Sequence, residues 1–353
     1  MSVIMNYYRH MDRTLIQFDF LCFLRCENSY DDEIESYGGH IYYVKKPGSS
    51  IAAMRELETF FKENEGRYQW LHNHEVYLSF YLGRLAGRYG LGHFAIHSHA
   101  TRYSDKWLNA IRNQILCYPI LFMKCNRIAC SKAAGGVLFG EKMVRQNKVF
   151  ILYNAIDCRK YRYNREKREE LRCCLGVQDK LVIGHVGRFE KQKNHEFLIE
   201  SFNKLKKQCP ESVLILIGSG SLKAIMEQKV KAAGLEDTVF FLGQQSNNQD
   251  WYQVMDLFWL PSVYEGLPMA AVEAQASGLP CFFAETITQE VELLDTTRRL
   301  SLKEGPEFWA AEACKQQNTI KRDDAWRIVE NAGFGIESAS VALQRYYMNE
   351  GAR

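Results

Sequence analysis

The chain contains no apolar run approaching the roughly 18 residues that span a bilayer, which excludes a helical integral membrane protein and leaves a soluble or peripheral one. An excess of one charge is also missing. Lys and Arg number 45 against 42 Asp and Glu, a net +3. That is too little to argue for nucleic-acid binding, although an acidic ligand or an anionic membrane surface would suit it. The 11 cysteines form no CxxC pair and no evenly spaced framework, and no secretory signal opens the sequence. Reduced thiols in a cytoplasmic protein are therefore expected. There is no Walker loop and no nucleophile elbow. Gly218-Ser219-Gly220-Ser221 follows a strand pattern but lacks the third glycine of a dinucleotide fingerprint, which leaves it as the border of some other site.

What is present is a repeating pattern. At 353 residues the chain has room for two domains of ordinary size, and 46% hydrophobic with 25% charged residues is normal for a globular protein. A helical pattern over 2–11 precedes apolar strand segments at 16–24 and 41–44. Helices are then expected over 50–63, 75–89, 105–116 and 132–138, alternating with strands that end at Leu71-His72 and run over 94–98, 127–130 and 149–152. Residues 157–180 are highly charged and read as a linker with a short helix. A cleaner second series has strands at 181–186, 213–217, 239–242, 257–260 and 281–284, short apolar runs without alternation, as for strands covered on both faces. The ending, 307–348, reads as helical, and Tyr346-Tyr347 on its apolar face suit a helix that docks.

The expected fold class is α/β, two tandem Rossmann-like doubly wound domains over 1–156 and 157–335, with a terminal helix over 336–353 that packs back on the first domain. One strand is missing from this scheme. A doubly wound domain opens on a strand, usually a central one, whereas this chain opens on a helix. A gap between strand pairs is therefore expected in the first domain, through a late gene start or a fragment in preference to a rearranged sheet.

The chemistry gathers in 261–274, Pro-Ser-Val-Tyr-Glu-Gly-Leu-Pro-Met-Ala-Ala-Val-Glu-Ala, which runs from a strand end through a tight turn into a helix of small apolar residues. Pro268 suits the first helical turn. Glu273 lies where composition predicts burial, and a buried carboxylate needs partners, from the fold or from a polar ligand. Strand 181–186 ends in Gly187-Arg188-Phe189-Glu190-Lys191-Gln192-Lys193-Asn194, ahead of a helix. Gly187 lets a backbone come close, and Arg188 and Lys193 put two cations beside a helix N-terminus, an arrangement suited to a diphosphate. A solvated charged loop is the plainer reading of that segment alone. The turn Glu265-Gly266-Leu267, at another strand end of the same domain, tips the balance toward a site. His72, His74, His97 and His99 form two His-x-His pairs, but alternation puts i and i+2 on one face of any strand. With no carboxylate or thiolate cluster beside them, no metal is expected.

In this order, Gly-Arg-x-x-x-x-Lys at 187–193 and Glu-Gly-Leu-Pro-x-x-x-x-Glu-Ala at 265–274 resemble the retaining glycosyltransferases of family 4, which have the GT-B fold. Ala129-Cys130-Ser131, Asn154-Ala155-Ile156-Asp157, Phe241-Leu242-Gly243, Asp256 to Ser262 and Ala276-Ser277-Gly278-Leu279-Pro280 support the likeness, which covers nearly the whole chain. Val3 to Arg9, Ile16 to Phe20 and Ile96 to His99 resemble the branch that builds capsular or extracellular polysaccharide. The resemblance implies a nucleotide-sugar donor, a UDP- or GDP-sugar, bound by the second domain as a substrate rather than a cofactor. It implies a glycan or lipid-linked acceptor on the first domain, with the two domains closing over a cleft. Glu273 would hold the ribose diol, Glu265 the donor sugar, and Arg188 and Lys193 the departing diphosphate. Gly187, with the backbone of Gly266 and Leu267, would complete the donor contacts, Gln244 would open the base-holding loop, and His99 would lie near the sugar. No metal would be needed. The basic residues 159–172 read as linker or solvated helix, with peripheral contact at the cytoplasmic face of the inner membrane as their other role. Two rivals stand: an inactive nucleotide-sugar-binding scaffold, and another GT-B enzyme such as a nucleotide-sugar epimerase.

Overall fold

Short apolar runs become strands and amphipathic stretches become helices, some of them begun by a side-chain cap. The Ser50 side chain accepts from the Ala53 N–H at 3.1 Å and starts the helix Ile51–Glu63. Ser131 does the same for Lys132–Phe139, and Asn164 for Arg165–Leu175, which Gly176 ends in the left-handed region. The computed structural model describes residues 2–25, 29–48, 50–104, 107–316 and 322–351. It divides the chain into Met1–Leu152 with Glu337–Arg353, and Tyr153–Ile336.

In the first unit β1 (Phe20–Cys22) pairs in parallel with β2 (Ile41–Tyr43). Separately, β3 (Trp70–Asn73), β4 (His93–Ser98), β5 (Asn126–Ala129) and β6 (Phe150–Ile151) form a parallel sheet in chain order. Among the described residues no strand joins the two sheets. A cleft of about 470 Å³, part of it open to solvent, lies there, lined by Asp19, Phe20 and Leu21 on one side and Trp70, Leu71 and Leu91 on the other. The last helix, Ile336–Gly351, reaches the same place. Its Tyr347 ring packs edge-on against Phe18 and Trp70 and its hydroxyl meets His72 Nδ1, while Tyr346 stacks on Phe150 at 4.4 Å.

The second unit has one six-stranded parallel sheet. With β7 (Leu181–Val186), β8 (Ser212–Ile217), β9 (Val239–Gly243), β10 (Leu257–Leu260), β11 (Cys281–Ala284) and β12 (Thr297–Leu300), its order is β12-β11-β10-β7-β8-β9. The order reverses between β7 and β10, so the loops leaving their carboxyl ends diverge and open the crevice where ligands of such sheets bind. Strand β12 is absent from the sequence pattern because Thr-Arg-Arg-Leu is a polar edge strand, its arginines paired with Glu312 and Glu292. The helix Asp31–Ser36 is likewise unforeseen, its first turn carrying Asp31, Asp32 and Glu33. Pro268 stands at the N-cap, one residue before the helix Met269–Ala276. The first two residues of the helix expected from 105 lie outside the described residues, and it is seen as Trp107–Cys117.

The charged segment after 157 is more than a linker. From the helix Arg165–Leu175 two arginines turn inward to Asp256. Arg172 Nη1 is 3.0 Å from Asp256 Oδ2 and 2.8 Å from the Val254 carbonyl. Arg168 joins the same carboxylate and donates to the Gln253 and Met255 carbonyls at 2.9 Å. The carboxylate also accepts the Val182 N–H at 2.8 Å. This carboxylate therefore ties helix Arg165–Leu175 to β7 and to the entry of β10. Removing it strands two cations among carbonyls: Asp256→Ala is expected to cost about 3–5 kcal/mol, read as a lowered melting transition.

Two buried imidazoles lie under the opposite, carboxyl ends of these strands. His185 Nδ1 donates to the Trp259 carbonyl at 2.8 Å, and His195 stacks on Phe189 at 4.1 Å. Burial first, then the Lys193 charge, lowers His195 to about 4. A folded value below the unfolded 6.5 means that the unfolded chain binds the extra proton, so stability is lost as pH falls below about 6.5. On this count His195 alone removes on the order of 2 kcal/mol between pH 7.5 and pH 5. His195→Gln is expected to shrink the acid-induced drop in melting temperature; a drop as steep as that of the unaltered protein would exclude this origin.

Candidate active site

The loops after β7 and β10 are fastened to each other. The Val263 N–H donates to the Gln192 carbonyl at 2.9 Å. The Gln192 side chain donates to the Tyr264 carbonyl and to Glu265 Oε2, both at 3.1 Å, and Asn194, at φ +56°, donates to the Pro261 carbonyl at 3.2 Å. Lys193 Nζ lies 2.6 Å from Glu265 Oε1, both side chains largely buried. Gly187 makes room for this lysine, since a Cβ there would stand 3.2 Å from its side-chain carbons. Gly218 and Gly220 are indispensable for a different reason. Both have φ in the region that favours glycine, and a Cβ on either would run into the backbone of Gly187 or Phe189 at 2.1–2.6 Å. The Gly-Ser-Gly-Ser segment is thus the buttress of the β7 loop, to which the Ser219 carbonyl adds a 2.9 Å bond from the Phe189 N–H.

Of the two cations expected here, Lys193 is held by Glu265. Arg188 is exposed; its carbonyl accepts the Glu190 N–H at 2.7 Å, but its side chain has no hydrogen-bond or ion-pair partner among the described residues. Gly266 and Leu267 are buried in the turn, where Asn154 Nδ2 donates to the Leu267 carbonyl at 2.8 Å. They lead into the N-terminus of Met269–Ala276, whose free N–H groups attract negative charge. Glu273 is buried on that helix, and Tyr252 donates to its Oε2 at 2.8 Å. Burial raises this carboxyl above the usual range, while hydrogen bonds from Tyr252 and Tyr161 and the charge of Lys193 act the other way. Gln244 follows Gly243 at the end of β9 and is exposed. The second unit therefore brings Gly187, Arg188, Lys193, Glu265, Gly266, Leu267 and Glu273 to neighbouring strand ends, with Gln244 two strands further out, beyond β8. Tyr161, Tyr252 and Gln192 were not legible beforehand: a lone tyrosine or glutamine carries no spacing signal.

His99 belongs to the first unit, just past β4. There His72, His74, His97 and His99 form a two-by-two stack, with His72 Nε2 at 3.1 Å from His97 Nδ1 and His74 Nδ1 at 2.7 Å from His99 Nε2. Burial keeps all four neutral, lowering His72 to about 3 and His99 to about 4 and the other two well below the usual value. Nitrogens of His72, His74 and His97 lie within 4.8 Å of one another, an all-imidazole set that could take a transition metal. No carboxylate or thiolate joins that set among the described residues.

Comparison with known proteins accords with this geometry. The family profile described as "Glycosyl transferases group 1" matches residues 167–296, which span the β7 and β10 loops. The chain is 35% identical over 315 residues to "Putative glycosyltransferase EpsF" of Bacillus subtilis (strain 168), covering 88% of this chain and 82% of that protein. It is 26% identical over 241 residues to the UDP-Gal:alpha-D-GlcNAc-diphosphoundecaprenol alpha-1,3-galactosyltransferase of Escherichia coli, 66% of this chain and 62% of that one. The crystal structure of Anabaena Alr3699/HepE in complex with UDP-glucose superposes with a TM-score of 0.78 at 16% identity, over 99% of this chain and 96% of that one, which establishes the GT-B fold. With its fold shared and its sequence aligned over most of a relative's length, the chain belongs to the group 1 glycosyl transferases.

Proposed function

We propose that this protein is a retaining transferase of family 4 that moves a sugar from a UDP- or GDP-sugar to a glycan or lipid-linked acceptor in capsular or extracellular polysaccharide synthesis. The observation that carries the reading is the joined pair of loops, with Lys193 clasped by Glu265 and Arg188 left exposed beside it. In the reaction the anomeric carbon–oxygen bond to the diphosphate breaks with its electron pair on the nucleoside diphosphate. The acceptor oxygen bonds to the same carbon on the same face, and its proton passes to the departing diphosphate oxygen. Arg188 and the N-terminus of Met269–Ala276 meet the charge that grows on the leaving group, and Lys193, shared with Glu265, lies between phosphate and sugar. These fixed cations do the work a metal does elsewhere. Glu273 accepts from the two ribose hydroxyls, its partnership with Tyr252 and Tyr161 fixing its rotamer, and Gln244 borders the base. The first unit, which carries His99, holds the acceptor. The names of the relatives support this reading, one a UDP-galactose enzyme acting on a lipid diphosphate and one a structure with UDP-glucose.

A thermal-shift panel of UDP-, GDP- and ADP-sugars identifies the donor, followed by calorimetry on variants. Arg188→Ala, which loses no side-chain hydrogen bond or ion pair seen among the described residues, is expected to weaken donor binding about tenfold or more with melting shifted by less than about 0.5 kcal/mol of stability. Lys193→Ala and Glu273→Ala are expected to abolish binding while the chain still melts cooperatively. Unchanged affinity in all three would refute the site, and donor binding without any transfer would turn the reading to a scaffold.

A further inference from the structure

The helix Trp107–Cys117 and the turn Tyr118–Phe122 of the first unit show an apolar face that the fold does not use. Their inner side is already satisfied. Cys117 and Ile120 lie in the core with Leu82 and Phe94, and buried Asn113 donates to the Tyr103 carbonyl at 2.7 Å. On the outer side Trp107, Ile111 and Ile115 recur every fourth residue, with Leu108 between them, so they share one stripe. The turn continues it with Tyr118 and Phe122. Exposure reaches 71% at Trp107, 67% at Ile115 and 75% at Phe122, far from the scattered single residues that need no explanation.

Charge says what covers this face. From residue 107 to 140 the sequence has no Asp or Glu, while Arg112, Lys124, Arg127 and Lys132 fall within it. Arg112 and Lys124 are exposed beside the stripe, and the Arg112 guanidinium is held by the neutral Asn113 side chain at 2.9 Å. Aromatic rings at both ends, aliphatics between them and flanking cations without acids match an element lying in the headgroup boundary of an anionic membrane. No helix among the described residues is long and apolar enough to cross a membrane, so docking in the interface is the mode left to this face. The basic segment 159–172 is a poorer candidate, since Arg168 and Arg172 are turned inward to Asp256.

We propose that the face formed by Trp107, Leu108, Ile111, Ile115, Tyr118 and Phe122 docks the protein on a bilayer containing anionic lipid. The inference deepens transfer to a lipid-linked acceptor and takes its purpose from that reading; its geometry stands alone. The test is co-sedimentation of the full chain with phosphatidylcholine vesicles, with and without about one third phosphatidylglycerol. Binding is expected to be at least about tenfold stronger to the anionic vesicles and to weaken with salt. Trp107→Ser combined with Ile115→Ser, both exposed and so without cost to folding, should lower it about tenfold or more. Arg112→Glu with Lys124→Glu should remove the preference for anionic lipid. Binding by the serine variant equal to that of the unaltered chain overturns the proposal. So does self-association through the same residues, seen by light scattering, with no uptake by vesicles. Donor affinity, measured without vesicles, reports on the transferase reading separately: a chain that binds its nucleotide-sugar and ignores vesicles overturns the docking surface alone.

Discussion

The ion pair between Lys193 and Glu265 is the constraint on which the candidate site depends. Both groups are largely withdrawn from water, so neither can be removed without leaving the other as an uncompensated charge. Because they sit on loops from different strands, the pair converts two flexible connections into one surface. It also divides the cations by role. Lys193 is committed to the protein's own carboxylate, and Arg188 remains as charge available to a ligand. On the proposed reading such a site is preorganised: the dipoles and cations would stand in place before a donor arrived, with little reorganisation left for the reaction.

The backbone beneath the pair explains how it can be held so closely. Gly218 and Gly220 allow the β8 loop to touch the β7 loop directly, and Asn154 pins the Leu267 carbonyl. Behind these stand the aromatic and imidazole rings of Phe189, His185 and His195, which are buried and neutral. The group around Asp256 does the equivalent work at the opposite ends of the strands, where Val182 and Asp256 exchange 2.8 Å hydrogen bonds. Each end of β7 is thus held by a charge pair, one at the candidate site and one within the protein.

Much of this was legible in the sequence because the signals are local. Strand Leu181–Val186 is an apolar run interrupted by Gly184 and His185 and ended by Gly187, and β10 and β11 are plainer still, so their boundaries were readable to the residue. The loops after them carry charges at distinctive spacing. What was not legible depends on contacts between distant residues or on side chains with no pattern of their own. Strand β12 is polar because it lies at an edge, and composition cannot separate it from a loop. The inward turn of Arg168 and Arg172 is hidden in a segment whose charge resembles a solvated helix. Tyr252 is recognisable as a partner of Glu273 only once the helix Asn248–Val254 is packed against Met269–Ala276. The exposure of Trp107 and its neighbours is invisible too, since an apolar helical stripe looks the same whether it faces a core or water.

The return of the last helix to the first unit has a consequence for synthesis. Tyr347 meets His72 across 275 residues of sequence, and between the two parts of that unit lies the whole of Tyr153–Ile336. A ribosome working at about 5–20 residues per second therefore releases Tyr347 roughly 15–55 s after His72. During that interval the continuous second unit has everything it needs to fold, whereas the edge of β3 waits without the ring that packs on Trp70. The order of completion is set by topology: the unit made first is the one finished last.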